Sequence, residues 1–351
     1  MQKEAILGRD IGNGKIECVA CARRCKMPEG SHGFCFVRQN IGGKLSLVNY
    51  GVIDAMQLDP IEKKPFNHFM PGSYAFGIGT SSCNWGCQFC QNHNISKNRE
   101  ISGVEVSPGE IVDLALQHGA QSIAFTYNEP TISIEYALDV AKLSHKKGLY
   151  NLFVTNGFMT KEAVAQMKGL IDAAVVNFKG NADQKFSNKF EMVQSNDPIL
   201  EAMIEMDKAG IHMEITDLII PRVGDSLDAC MTLMQKVKDS VGTDIPVHFT
   251  SFHPDYKMLD YPSTNYETLK AHYDIARNEG FKYVYIGNMP GNTYQNTYCP
   301  KCDNIVVERD KVYLKRWELD NDNCCKKCGT RIPITGDHAK RISHREIESL
   351  Y

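Results

Sequence analysis

The chain has 351 residues and a net charge of −3, with 42% apolar and 23% charged residues. This composition is that of a globular protein large enough for two domains, or for one barrel with appendages. No long run of lysine or arginine is present, so a nucleic-acid partner bound through bulk charge is not expected. No apolar segment approaches the length of a membrane span, and no apolar signal region follows Met1, so we expect a cytoplasmic protein without a membrane partner.

The thirteen cysteines are the unusual feature of the composition. Thiols stay reduced in the cytosol, so this number indicates metal sites rather than disulfides. The cysteines fall into groups of four, three and five along the chain, and Cys230 stands alone. Cys230 shares an apolar helix face with its neighbours, and we expect it to pack in the core.

Residues 1–73 are predicted to form a Cys-rich N-terminal extension with the pattern C-x2-C-x3-C-x9-C. Four thiolates suffice for a zinc ion or for an auxiliary iron–sulfur cluster, and the uneven spacing is typical of neither. We expect zinc first, an auxiliary cluster second and free structural thiols third. The four ligands would be Cys18, Cys21, Cys25 and Cys35. The segment 59–66 near the end of this extension is interpreted as a proline-bounded connector.

The second group has the pattern C-x3-C-x2-C, with an aromatic residue before the last cysteine. Three thiolates fit a cubane iron–sulfur cluster that leaves one iron open to an outside ligand, whereas structural zinc needs four ligands. The pattern resembles the signature of the radical SAM superfamily, in which a [4Fe-4S] cluster binds S-adenosylmethionine (SAM) at the open iron. The resemblance assigns the cluster to Cys83, Cys87 and Cys90.

From residue 74 to residue 290, short apolar runs alternate with helical segments, which indicates repeated βα units of an α/β fold. Strands are predicted near 74–79, 121–127, 149–155, 172–178, 211–220 and 246–252, with a possible seventh at 281–287. Helices are predicted near 107–118, 131–147, 160–170, 197–209, 226–240 and 265–279. We expect a partial (β/α)6-type open barrel of the radical SAM kind, with its chemistry at the carboxyl ends of the strands.

Residues 291–351 are predicted to form a separate C-terminal module and tail. Two C-x2-C knuckles enclose a polar, β-prone segment, which is the pattern of a zinc ribbon. A rubredoxin-like iron site is the alternative. The ligands would be Cys299, Cys302, Cys325 and Cys328, and Cys324 does not fit the spacing.

Polar residues at the predicted strand ends resemble the SAM-binding motifs of this superfamily. Tyr127-Asn128-Glu129-Pro130 stands where these enzymes carry Gly-Gly-Glu-Pro, and a carboxylate is the natural acceptor for the SAM ammonium. Three later segments resemble motifs of the pyruvate formate-lyase activating enzymes and similar glycyl-radical activases. The resemblance implies the following SAM contacts: Asn128, Glu129, Thr155, Asn156, Asn177, Lys179 and His253. Val154 and Asn177 replace two acids that help to hold a monovalent cation in the activases, so that cation site is not expected here.

Nearly the whole chain resembles one family, the AmmeMemoRadiSam system radical SAM enzymes. The resemblance is carried by Asp59-Pro60-Ile61-Glu62-Lys63-Lys64-Pro65, His253-Pro254-Asp255-Tyr256, Tyr285-Ile286-Gly287-Asn288 and the terminal cysteine patterns. It implies a one-electron donor of the flavodoxin or ferredoxin type, and partner proteins of the Ammecr and Memo types.

The reaction implied by the resemblance is reductive cleavage of SAM to a 5′-deoxyadenosyl radical, which abstracts hydrogen from a protein or small-molecule substrate. The substrate itself is not identified. The alternatives are an activase that installs a glycyl radical on a larger enzyme, and a non-enzymatic zinc protein. The three-cysteine motif argues against the second alternative.

Overall fold

The computed structural model describes residues 2–336 and 348–349. The predicted tail from His338 onward therefore lies outside the described residues, apart from Glu348 and Ser349. None of the described helices is both long enough and apolar enough to cross a membrane.

The N-terminal extension consists of short antiparallel strands. They are β1 (Lys3–Glu4), β2 (Gly8–Asp10), β3 (Ile16–Cys18), β4 (Lys26–Met27), β5 (Arg38–Ile41), β6 (Lys44–Leu47) and β7 (Val52–Ile53). Two small sheets have the strand orders β1-β6-β5 and β2-β3-β4. Such short strands bury little apolar surface, so the extension is stabilised largely by packing against the rest of the chain.

A nine-stranded sheet forms the centre of the molecule. Its strands are β8 (Ala55–Pro60), β9 (Tyr74–Gly79), β11 (Ser122–Phe125), β12 (Tyr150–Thr155), β13 (Ala173–Lys179), β14 (His212–Ile219), β15 (Val247–Ser251), β16 (Val284–Gly287) and β20 (Glu348–Ser349), and β10 (Val104–Glu105) pairs with β7 outside it. The order is β16-β15-β14-β13-β12-β11-β9-β8-β20. The seven strands from β9 to β16 are mutually parallel, and β8 runs antiparallel to β9. The structure thus has an α/β fold with a mostly parallel sheet, as predicted.

Eight α-helices accompany the sheet within the described residues. They are α1 (His93–Ser96), α2 (Pro108–Gln117), α3 (Ile134–Lys146), α4 (Lys161–Met167), α5 (Gln184–Phe186), α6 (Asp197–Lys208), α7 (Leu227–Val241) and α8 (Tyr266–Asn278). The predicted start of α2 is confirmed: Ser107 and Glu110 form a reciprocal capping box. Both faces of the parallel strands are buried, which explains the nearly continuous apolar runs in their sequences.

The structure adds a strand to the central sheet, β8, that the sequence did not predict. The segment interpreted as a connector begins in β8, whose Ala55–Pro60 pair with Tyr74–Gly79 of β9. Pro60 is the last residue of β8 and lies beyond Leu58, where the pairing with β20 ends, so that pairing does not need its missing N–H. Strand β8 brings Asp59 inside, where it pairs with the buried Lys64 at 2.6 Å.

The C-terminal module is a small antiparallel sheet that packs beside the amino ends of the parallel strands. Its strands are β17 (Thr297–Tyr298), β18 (Ile305–Asp310) and β19 (Tyr313–Trp317). Arg309 joins the two parts, because it donates to Thr297 Oγ1 at 2.9 Å and to the backbone oxygen of Asn67 at 2.9 Å. Tyr285 takes part in the same contact, because its hydroxyl lies 2.6 Å from His68 Nε2 and 2.9 Å from Thr297 Oγ1.

Candidate functional site

The three-cysteine loop follows β9 directly, at the carboxyl end of the first parallel strand. Asn128, which follows β11, holds the start of this loop. Its amide oxygen accepts the N–H of Thr80 at 3.1 Å, and its amide nitrogen donates to Thr80 Oγ1 at 3.0 Å and Ser82 O at 2.8 Å. The structure therefore commits both polar atoms of Asn128 to the loop, and we assign it a positioning role.

A lysine that sequence analysis missed lies beside the cysteines. Lys97 Nζ donates to the backbone oxygen of Trp85 at 2.8 Å. Burial would lower the pKa of Lys97, but the neighbouring sulfurs of Cys87, Cys83 and Cys90 outweigh it and raise that pKa. The side chain is thus a cation placed against the three sulfurs, where it can offset the negative charge of thiolate ligands.

Glu129, Thr155 and Asn156 meet at the carboxyl ends of β11 and β12. Glu129 Oε1 accepts from Thr155 Oγ1 at 2.7 Å and Thr131 Oγ1 at 2.5 Å, and Oε2 accepts the Asn156 N–H at 2.7 Å. Burial raises the pKa of Glu129, although these hydrogen bonds favour its ionised form. Asn156 also donates to Asn84 Oδ1 at 2.8 Å, which ties this acidic group to the loop of Cys83.

Gly157 shows why the chain can turn after Asn156. Its φ is +71°, and a Cβ would lie 2.9 Å from Val176 and 2.8 Å from Ile199. Only glycine combines this left-handed conformation with so close a packing. The Thr-Asn-Gly segment is therefore a strand end followed by a turn that points the Asn156 N–H at Glu129.

Asn177 and Lys179 lie together at the carboxyl end of β13. Lys179 Nζ donates to Asn177 Oδ1 at 3.2 Å, and Thr216 of β14 donates to the same oxygen. Burial lowers the pKa of Lys179, against the opposing effect of Cys87, Glu191, Asp217 and Cys90. Lys179 is thus a partly buried cation within electrostatic range of Cys87 and Cys90, and its contact with SAM stays a prediction.

Two buried acids beside Lys179 were not singled out in the sequence. Burial raises the pKa of Glu191 to about 8 and that of Asp217 to about 7. Glu191 Oε1 and Asp217 Oδ2 have no hydrogen-bond partner within the described part of the chain. Asp217 is an acid within the buried strand β14, which is the one sequence signal that identifies it. Glu191 is the last residue of the π-helical turn Ser187–Glu191 and has no such signal.

His253 is not brought into this group. Its side chain is exposed, and Nδ1 is 3.4 Å from the oxygen of the next residue, Pro254. Its neighbours contact the cysteine loop instead, because Tyr256 stacks on His93 with ring centroids 4.8 Å apart and the Lys257 N–H donates to Gln88 O at 2.9 Å. The predicted contact of His253 with SAM has no support in these contacts.

The four C-terminal cysteines converge on one point. The ligand atoms of Cys299, Cys302, Cys325 and Cys328 all lie within 4.8 Å of one another, with Cys299 and Cys328 Sγ 3.5 Å apart. A tetrahedral zinc with Zn–S bonds of about 2.3 Å places its sulfurs about 3.8 Å apart. The predicted group can therefore hold a single metal ion, and Cys324 is not part of it.

The N-terminal cysteines lie beside the three-cysteine loop. Cys18, Cys21, Cys25 and Cys35 line one cavity together with Asn84. Arg23, also at this cavity, donates through Nε to Asn84 O at 2.5 Å and through Nη2 to Met192 O at 2.7 Å. Through these two bonds Arg23 links the two cysteine groups.

Comparisons with known proteins agree with this arrangement. A sequence profile of the Radical SAM superfamily matches residues 78–229. The uncharacterized protein MJ0808 of Methanocaldococcus jannaschii is 39% identical over 335 residues, which is 95% of this chain and 99% of that protein. A second uncharacterized protein of the same organism, MJ0674, is 24% identical over 76% of each chain. A radical SAM methyltransferase from Sphaerobacter thermophilus has the same fold, with a TM-score of 0.51 at 14% identity over 62% of this chain and 68% of its own.

Proposed function

We propose a reaction for this chain from one premise, that it belongs to the radical SAM superfamily and is an enzyme of that superfamily. The proposed reaction begins with reductive cleavage of SAM and ends with hydrogen abstraction from a substrate. When bound, the [4Fe-4S] cluster and SAM supply the 5′-deoxyadenosyl radical for this chemistry. The protein supplies the ligands, the orientation of SAM and the exclusion of water.

The residues around the three-cysteine loop fit such a cluster. Cys83, Cys87 and Cys90 offer three thiolates, and Lys97 offers a positive charge against them. Buried polar atoms beside the loop, Asn84 Nδ2 and Trp85 Nε1, have no hydrogen-bond partner among the described residues. Unsatisfied buried donors are costly, and they mark a place where an acceptor is expected to bind.

The single observation that carries the proposal is the position of the Glu129 carboxylate. Thr155 Oγ1 and the Asn156 N–H hold it next to the cysteine loop, where it would accept the SAM ammonium. Lys179, a partly buried cation near the same cysteines, would pair with the SAM carboxylate. Oppositely charged groups for the ammonium and the carboxylate would orient SAM beside the three cysteines.

Further parts of the proposal rest on the family resemblance. We propose that the chain acts with Ammecr- and Memo-type proteins, and that a flavodoxin- or ferredoxin-type protein donates the electron. The four C-terminal cysteines would hold zinc, with iron as the alternative. The substrate class is left as a protein or a small molecule.

Asn177 favours this proposal over a glycyl-radical activase that relies on a monovalent cation. An amide stands where the activases carry an acid, and its oxygen already accepts from Lys179 at 3.2 Å and from Thr216. An amide with both acceptor positions occupied offers no negative charge to a cation.

The test is anaerobic reconstitution with iron and sulfide, reduction, and chromatographic measurement of 5′-deoxyadenosine formed from SAM. The wild-type protein should form it, and Cys87→Ser should not, because the cluster loses a ligand. Cys324→Ser is the matched control, since it removes a cysteine outside the three groups of proposed ligands. Equal, background product from the wild type and Cys87→Ser would refute the proposed reaction.

A further inference from the structure

The N-terminal cysteines differ from the compact C-terminal metal site, because a cavity lies between their side chains. Cys18, Cys21, Cys25 and Cys35 line a small cavity of about 10 Å³, which is close to the room that one water molecule needs. In the C-terminal group, the sulfurs of Cys302 and Cys325 are 3.8 Å apart, which is the spacing around a single zinc ion. A bound zinc ion would leave no such cavity between its sulfurs.

The spacing of the sulfurs also argues against a single zinc ion at the N-terminal site. Within the described residues, the C-terminal cysteines are the one group of three or more metal-ligating side chains with all ligand atoms within 4.8 Å of one another. No three of the N-terminal sulfurs meet that limit, and neither do Cys83, Cys87 and Cys90. An iron–sulfur cluster keeps its thiolates farther apart than a single ion does, because several iron and sulfide atoms lie between them.

We propose that Cys18, Cys21, Cys25 and Cys35 hold a second iron–sulfur cluster rather than zinc. Four thiolates satisfy every protein-ligated position of such a cluster, so this site leaves no iron open to SAM. From the sequence we expected zinc first and an auxiliary cluster second, and this proposal reverses that order.

The surroundings of the cavity suit a buried anionic cluster. Two guanidinium groups line it, those of Arg23 and Arg38. Arg38 Nη2 pairs with the buried Glu135, which offsets its charge, while Nη1 lies 4.0 Å from Cys18 Sγ; the Phe34 N–H donates to Cys25 Sγ at 3.4 Å. Positive charge and N–H donors near the sulfurs stabilise the reduced form of an iron–sulfur cluster.

The site also lies next to the loop that carries the first cluster. Arg23 is within electrostatic range of Cys21 and Cys25 on one side and of Cys83 and Cys87 on the other. Its Nε bonds to the backbone of Asn84, the residue after Cys83. This proximity suits transfer of an electron from a ferredoxin- or flavodoxin-type donor, through the second cluster, to the first.

The experiment uses the full chain with Cys83→Ser, Cys87→Ser and Cys90→Ser combined, which removes the first cluster and leaves the N-terminal group intact. After anaerobic reconstitution, iron, zinc and acid-labile sulfide are measured per chain. We expect iron and sulfide to remain in equal amounts, two or four of each. A reduced sample should also give an iron–sulfur electron paramagnetic resonance signal.

Sulfide separates the two terminal sites, because a rubredoxin-like C-terminal iron would contribute iron without sulfide. Adding Cys21→Ser and Cys35→Ser should remove the remaining sulfide and the resonance signal, whereas adding Cys324→Ser should not. Circular dichroism and the metal content of the C-terminal site report whether each variant is folded. A triple variant that is folded and contains zinc without sulfide, or no metal at the N-terminal site, would overturn the proposal.

Discussion

Replacing Glu129 by glutamine tests how the protein holds SAM, because it keeps the shape of the side chain and removes its charge. Four donors now point at the carboxylate: Thr131 N at 3.1 Å, Thr131 Oγ1 at 2.5 Å, Thr155 Oγ1 at 2.7 Å and Asn156 N at 2.7 Å. Glutamine has one acceptor oxygen. The best orientation of the glutamine places this oxygen at the position of Oε1, where it faces three donors. The NH2 group then faces the Asn156 N–H, which is also a donor.

Two separate effects follow from Glu129→Gln. One buried N–H loses its acceptor, so the free energy of unfolding should fall by about 1–3 kcal/mol even without SAM. The SAM ammonium loses a charge-assisted hydrogen bond of about 1.5–3 kcal/mol, so the affinity for SAM should fall by about 10- to 150-fold. The first is measured by denaturant unfolding, and the second by calorimetric titration of the cluster-loaded protein.

Glu62→Gln is the matched control. Glu62 is also a buried glutamate, but it accepts the Gly72 N–H at 2.8 Å near the amino end of β9, at the opposite edge of the sheet. Its substitution should leave SAM affinity unchanged. If Glu129→Gln bound SAM as tightly as the wild type while remaining folded, the assignment of Glu129 to the ammonium would be refuted.

Three further predictions concern the rest of the site. Lys179→Met should weaken SAM binding by about 10- to 150-fold in the same titration, without lowering the melting temperature of the SAM-free protein, because a partly buried charge is removed; unchanged affinity would exclude Lys179 as the carboxylate anchor. Cys325→Ser should reduce zinc or iron by about one ion per chain with no loss of sulfide, and retention of that ion would show that another residue binds it. Burial raises the pKa of Asp217 to about 7 in the folded protein, whereas the pKa of an aspartate in the unfolded chain is about 4. The folded protein therefore loses stability as the pH rises from about 4 to about 7, because Asp217 then has to ionise in a buried position. Asp217→Asn lacks this effect and should gain stability relative to the wild type between pH 5 and pH 8 in metal-free denaturant unfolding; a constant difference would contradict the assignment.

The parallel strands could be predicted because both of their faces are buried. Ala173–Lys179 is apolar for four consecutive residues and turns polar only at its carboxyl end, where the site lies. The same reasoning fails for β8, a strand near the edge of the sheet that carries a charged residue and a proline. Its Asp59 is buried against Lys64, a pairing across a turn that no periodicity reveals.

The side-chain directions after a strand could not be predicted either. The resemblance implied that Asn128 contacts SAM, but Tyr127 has a φ of +71° and the chain turns there. A left-handed conformation is uncommon for a bulky residue, and nothing in the sequence signals it. The turn aims the Asn128 side chain at Thr80 and Ser82, and its contact with SAM stays a prediction.

Hydrogen bonds connect the N-terminal cysteines to the proposed SAM site without any of them touching SAM. Arg23, between Cys21 and Cys25 in sequence, donates to Asn84 O, and Asn84 Oδ1 accepts from Asn156. The Asn156 N–H in turn fixes Glu129. A metal centre that orders the N-terminal loop would therefore also fix the acceptor for the ammonium, because each residue in this path has one well-defined hydrogen bond to the next. This gives the extension a reason to sit against the barrel: it would support the orientation of SAM as well as the supply of electrons.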